Sequence, residues 1–246
     1  MTTTLQSLWT ETSLDGNVRQ RLYLVLRQAI IRMVLAPGQA LSEKEIADAC
    51  DVSRQPVREA FIRLSESGLL EVRPQRGTYV VRISESAVME ARFVREAVEA
   101  AVARSAAESG LDASVLTELN ELIERQRRCA APQDYSRFFQ LDEAFHRALS
   151  LGADHTSAWR VIEEVKAQLD RVRYLSIPES TPIPKLVDQH QAIVDAIARQ
   201  DPNAAEQAMC THQREILHSL PELMRRFPAM FDSSATPRMT SKRETA

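Results

Sequence analysis

The sequence predicts a mostly α protein in two parts: a small helical module closed by a β-hairpin, followed by an all-α antiparallel helical bundle. Three observations lead there. Apolar residues recur at helical spacing through most of the 246 residues, and only 6 of them are glycine. Strand-like alternation is confined to one stretch, LLEVRPQRGTYVVR. Charge divides at the same place: residues 1–83 carry 11 Lys+Arg against 9 Asp+Glu, whereas the remainder carries 20 against 25.

Composition narrows the class. Hydrophobic residues are 44% and charged residues 26%, as in ordinary soluble globular proteins. No apolar run is long enough to span a bilayer. The opening MTTTLQSLWTETSLDG has neither a basic nor an apolar signal region, so no secretory leader is expected. Cys50, Cys129 and Cys210 are far apart and odd in number, which argues against disulfides and thiolate zinc sites and fits a reducing cytoplasm. Residues 1–16 and 232–246 are polar and are expected to be disordered.

In the first part, residues 17–82, a helix over 17–35 places Leu22, Leu26, Ala29 and Ile30 on one face, together with Val18 and Met33, and Pro37-Gly38 ends it. Ser42 and Glu45 have capping-box spacing for a second helix ending near Cys50. After the tight turn DVS, Ser53 is expected to cap a third helix. Pro56 is tolerated in its first turn, Val57, Ala60, Phe61 and Leu64 face inward, and Gly68 closes it. The hairpin follows, with its turn at Pro74–Gly77.

Two short helices, a tight turn and a hairpin make a winged helix-turn-helix, whose second helix enters the major groove by its N-terminal residues. That placement accounts for Arg54 and Arg58. Arginines oppose the positive end of a helix dipole, so an anionic partner is the reason to have them there. The stretch 53–82 holds six arginines against three glutamates, and local charge of this kind suffices for nucleic acid despite a net charge of −3. A solvated basic face is the plainer reading.

The run LSEKEIADACDVSRQPVREAFIRLSESGLLEVRPQRGTYV resembles the DNA-binding domain of the GntR family of bacterial transcription regulators. The resemblance implies DNA contacts at Lys44, Ser53, Arg54, Gln55, Arg58, Arg76 and Gly77. Gln55 departs from the family's frequent Thr or Ser, which leaves the operator sequence open, because Gln pairs with adenine edges.

Beyond the hairpin, residues 84–228 predict six helices, near 84–109, 112–129, 133–150, 155–176, 183–200 and 203–226. All five histidines lie here. Asp142 and His146 are one turn apart between Phe138 and Leu149, while His190 and His212 each sit on an apolar stripe. Hydrogen-bonded core histidines are one reading; a divalent ion held by three imidazoles and a carboxylate is the other. His155 and His218 lie outside this pattern and are expected at the surface or at helix ends.

The signatures LDEAFHRAL, DQHQAIVDAIARQDPNAAEQAM and THQREIL are similar to the effector-binding FCD domain of the FadR-type branch of GntR regulators, and six helices resemble its VanR-type subdivision. The resemblance implies a metal such as zinc, nickel or manganese on Asp142, His146, His190 and His212, with zinc the first choice. It implies an effector cavity faced by Arg95, which could equally be a surface arginine paired with Glu99; Arg171 and Arg173 are further anion-contact candidates. The expected protein is a cytoplasmic, non-enzymatic regulator, by family habit a repressor. It would dimerise through the bundle, bind a palindromic double-stranded DNA operator and respond to a small organic acid. A metal sensor and a bundle-based metalloenzyme are the alternatives.

Overall fold

The computed structural model describes residues 4–12, 17–131 and 133–232. Most of the two terminal segments expected to be disordered, residues 1–3, 13–16 and 233–246, lies outside the described residues. The middle of the first segment is ordered, contrary to expectation: Leu5–Glu11 form helix α1. Thr4 and Ser7 close a reciprocal capping box, Leu8 is buried against the neighbouring core, and the Arg21 guanidinium lies 3.8 Å over the Trp9 ring. Tertiary burial of Leu8 overrides a weak local pattern.

The winged module comprises α2 (Val18–Ile31), β1 (Ala40–Leu41), α3 (Glu43–Cys50), α4 (Arg54–Glu66), β2 (Leu70–Arg73) and β3 (Gly77–Val80). β1 adds a third strand to the expected hairpin, giving an antiparallel sheet of order β1-β3-β2 with Leu70 opposite Val80 and Arg73 opposite Gly77. Its core joins Leu22, Leu26 and Ile30 of α2 to Val57, Phe61 and Leu64 of α4, while Val18 stays largely exposed at the first turn. Ser42 caps α3 as expected, accepting from the Glu45 N–H. Ser53 occupies the cap of α4 but makes no side-chain capping bond. The third helical position, whose N–H a serine cap usually takes, is Pro56, which has none. Gly68 closes α4 with φ +68, in the left-handed region that glycine adopts without strain.

The bundle consists of α5 (Glu85–Ser109), α6 (Ala113–Arg127), α7 (Tyr135–Gly152), α8 (Thr156–Val165), α9 (Ala167–Glu179), α10 (Ile183–Ala198), α11 (Pro202–Gln213) and α12 (Ile216–Arg226). Two of the six expected helices are therefore each divided. One breaks at Lys166, which is buried with its amine on Glu143 and Asp170; the other breaks at Arg214–Glu215, where two tight backbone bonds turn the chain. The region 84–94 does not split. α5 runs through the middle, packed along α11 and touching α7, α8, α9 and α10. Near the end of the described chain, Phe231 pairs in parallel with Ile83, the residue that joins the two modules. No helix among the described residues is long and apolar enough to cross a membrane.

Candidate metal centre and nucleic-acid interface

Asp142 and His146 lie on α7, His190 on α10 and His212 on α11, and all four are buried. One ligand atom from each lies within 4.8 Å of the others. His146 Nε2 is 3.1 Å from His212 Nε2, His190 Nε2 is 3.3 Å from His212 Nε2, and Asp142 Oδ1 is 3.6 Å from His190 Nε2. Donors about 2.0–2.1 Å from a shared ion are separated by roughly 2.8–3.0 Å at octahedral angles and roughly 3.3–3.4 Å at tetrahedral ones. The donor set fits such an ion.

The other nitrogen of each imidazole is already engaged. His146 Nδ1 pairs with the Glu99 carboxylate of α5. His190 Nδ1 is 2.7 Å from Gln126 Oε1, and His212 Nδ1 is 3.0 Å from Gln189 Oε1. Both amides are oriented independently: Gln126 Nε2 donates to the Leu141 carbonyl and Gln189 Nε2 donates to Glu215. The glutamine oxygens on His190 and His212 favour the ring proton at Nδ1 there, and the Glu99 carboxylate lies against Nδ1 of His146, so the Nε2 atoms of all three rings are the ones turned towards one another. Lone pairs at that separation cannot hydrogen-bond to each other, and a cation between them satisfies all three. Phe145 stacks on the His190 ring at 4.2 Å and fixes its plane.

The electrostatics agree with ligation. Burial pushes His190 down to about 3 and His212 well below its ordinary value, so both are neutral at pH 7. Burial also acts against the Asp142 and Glu99 carboxylates. Arg173 and His146 nevertheless hold Asp142 below its usual range, and Arg95 and His146 bring Glu99 to about 2.

Of the candidate arginines, Arg95 is fully buried rather than at the surface. Its Nε pairs with Glu99, while Nη1 and Nη2 have no hydrogen-bond partner among the described residues. Arg171 points away from the cluster. It is buried at the junction with the winged module, Nη1 donating to the Val81 carbonyl at 2.8 Å, and burial lowers it to about 10. Arg173, two residues on, is the one that reaches Asp142. Beside Asp142 and His212 lies a cavity of about 40 Å³, also lined by Arg173, Ser176, Thr181 and Gln213. That volume accommodates a few waters. His155 sits at the cap of α8, bonded to Ser105, and His218 is exposed; neither joins the cluster.

Sequence reasoning missed Glu99, Gln126 and Gln189 as the partners of the imidazoles. Gln126 left one signal, a polar side chain on the buried stripe of Leu119, Leu122 and Ile123.

On the winged module, Ser53, Arg54, Gln55 and Arg58 are exposed on the leading turn of α4, and Lys44 and Arg76 are exposed on α3 and the wing. The side chains of Lys44, Arg54 and Arg76 make no ion pair among the described residues. Arg58 is held bidentately by Glu43 at 3.0 and 3.2 Å, and Gln55 donates to Glu59. Gly77 has φ +103 at the wing tip, next to Gln75 at φ +61.

Two family models match this architecture: the bacterial regulatory proteins of the gntR family over residues 18–80, and the FCD domain over residues 90–215. The chain belongs to the GntR family of bacterial transcription regulators. Among the relatives it resembles is the HTH-type transcriptional repressor RspR of Escherichia coli (strain K12), 44% identical over 206 residues that cover 84% of this chain and 90% of that one. Among solved structures, a putative GntR regulator from Rhodococcus sp. RHA1 superposes with a TM-score of 0.69 at 27% identity, covering 82% of this chain and 97% of that one. E. coli McbR/YncC gives 0.73 at 18% identity, covering 86% and 99%, which is a likeness of fold. RspR and the Rhodococcus protein are named as regulators, and by its family the GntR chain described here is a transcription regulator rather than an enzyme.

Proposed function

We propose that this protein is a ligand-responsive transcriptional repressor of the cytoplasm. In this reading it binds a palindromic operator as a dimer through Lys44, Ser53, Arg54, Gln55, Arg58, Arg76 and Gly77. It holds one divalent metal, zinc in the first instance and nickel or manganese otherwise, on Asp142, His146, His190 and His212. Repression is carried over from the named activity of RspR. The observation that carries the metal reading is the set of three Nε2 atoms turned inward with every Nδ1 engaged by an oxygen. Four protein ligands leave positions open on a five- or six-coordinate ion. The free Nη atoms of Arg95 suit a carboxylate, which makes a small organic acid the effector class.

A dimer needs a surface. On the outer side of α5, Phe93 is 63% exposed in line with exposed Ala97 and Ala101, an apolar strip suited to a second copy. A metal-sensor reading is favoured by one observation, the size of the cavity: at about 40 Å³ it admits water without rearrangement and an organic acid only after opening.

The test is elemental analysis of protein purified without chelator, followed by thermal-shift titration with zinc, nickel and manganese and then with organic acids on the loaded protein. Bound transition metal and a further gain with an acid support the effector reading. Operator release by metal alone supports the sensor. No metal and no gain reduce the cluster to polar packing.

A further inference from the structure

Helix α9 touches both the candidate metal centre and the winged module. Towards the centre, Arg173 pairs with Asp142 through Nη2, and its Nη1 reaches Glu143 at 3.1 Å and Asp170 at 3.3 Å. Asp170 is fully buried, and its other oxygen receives Lys166 at 2.8 Å and Arg27 at 3.3 Å. Arg27 belongs to α2, the helix against which α4 packs its inner face. The pairs form an unbroken chain, Asp142–Arg173–Asp170–Arg27, from a candidate ligand to the scaffold of the DNA-reading helix.

Two further bonds tie α9 to the winged module. Gln168 Nε2 donates to the carbonyl of Gly68, the residue that closes α4, at 2.9 Å. Arg171 donates to Val81, just beyond β3. Ala167 is part of the winged core, and Ile31 of α2 is part of the bundle core.

The ledger of charge in this chain is even. Three cations, Arg27, Lys166 and Arg173, face three carboxylates, Asp142, Glu143 and Asp170. Asp142 turns Oδ1 to the histidine cluster and Oδ2 to Arg173, so an ion bound at Oδ1 draws on the charge of the same carboxylate and repels the neighbouring guanidinium. Arg173 then leans harder on Glu143 and Asp170, the carboxylates that Lys166 and Arg27 already use. Lys166 is 2% exposed, whereas Arg27 is 13% exposed at the domain edge and is the more readily hydrated of the two.

We infer that α9 is the transmission between the two modules: whatever weakens the Asp142–Arg173 pair shifts Arg173 further onto Asp170, releases Arg27 and loosens the hold of the bundle on the winged module. The inference rests on the metal reading for its trigger, but the chain of ion pairs is a property of the protein's own residues. Occupancy of the centre and the set of the winged module are then linked, and such linkage is reciprocal.

Hydrogen exchange read by mass spectrometry on the full chain tests this, with zinc as the probe and calorimetry reporting separately whether zinc binds. In the wild type, zinc should slow exchange in α7, α10 and α11. It should speed exchange over residues 18–31 and 81–84 by about 5-fold or more, the lower end of ordinary coupling. Asp142→Asn should speed the same remote segments with no metal present. In Arg27→Gln those segments should exchange fast from the outset and be insensitive to both zinc and the added Asp142→Asn. If zinc binds and leaves residues 18–31 unchanged, or if Arg27→Gln keeps the full response, the transmission is wrong while the metal site stands. If calorimetry finds no zinc binding, the metal reading fails, and independence of Asp142→Asn from Arg27→Gln then rejects the relay on its own. Should Asp142→Asn not fold, the zinc response of Arg27→Gln decides.

Discussion

At the scale of single residues, the centre depends as much on what holds the imidazoles as on the imidazoles. Gln126 carries the Nδ1 side of His190 and is anchored by the Leu141 carbonyl. Gln126→Ala should therefore leave the ligand set intact and weaken zinc binding by about 10–100-fold, measured by competition with a chromogenic chelator. Acid gives a second test on metal-stripped protein. His190 is held down to about 3 in the folded state, against an ordinary value near 6.5 in the unfolded chain. On acidification the unfolded chain takes the proton first. The contribution of His190 to stability is therefore complete above about pH 6.5 and declines as pH falls towards 3. Thermal melts at pH 7.5 and pH 5 should show a smaller acid loss in His190→Gln than in the wild type; equal losses would mean that His190 is not buried as a neutral base. The convergence of the four candidate ligands was legible because a histidine on an apolar stripe is conspicuous. Their glutamine partners were not, because a neutral amide beside a core carries no pattern of its own. Nor could spacing choose between Arg171 and Arg173. They lie on opposed sides of one helix, and only the packing of α9 decides which side meets Asp142.

Among the elements, α4 was the most legible, because its limits are written in local chemistry: Ser53 and Pro56 at the start, Gly68 at the end, and four inward residues between them. What local chemistry does not carry is the division at Lys166, which follows from carboxylates brought by α7 and by the next turn, or the two-residue strand β1, which exists only because β3 lies beside it. The leading turn of α4 should carry DNA affinity. Arg54→Ala, and Arg58→Ala once its Glu43 partner is exchanged for DNA, should each cost about 1–3 kcal/mol if they read guanine, in gel-shift titrations of a selected operator. Unchanged affinity in both would remove the assignment. Helix α5 carries a separate expectation. Phe93→Glu, on a side chain that supports no core, should leave thermal stability of the protomer within about 0.5 kcal/mol. It should shift sedimentation towards monomer at micromolar concentration if the strip around Phe93 is the dimer contact.

Over the whole molecule, the two modules share more than a linker. Ile31 of the winged module lies in the bundle core and Ala167 of the bundle lies in the winged core, so neither module closes its core without the other. Their relative placement was the least legible feature, because it depends on pairs such as Arg27–Asp170 that join residues far apart in sequence. The pairing of Ile83 with Phe231 belongs to the same class: the Ile83 N–H donates to the Met230 carbonyl at 2.9 Å, and the Ile83 carbonyl accepts from Asp232 at 2.9 Å. Its consequence appears in time rather than in space. On the ribosome residues 17–82 emerge before the bundle helices, and the core residues each module lends the other meet only afterwards. The segment that seals the joint between them is synthesised after every helix of the bundle. Until Phe231 arrives, Ile83 lacks its pairing partner, so this part of the joint between the modules closes only after all the bundle helices have been made.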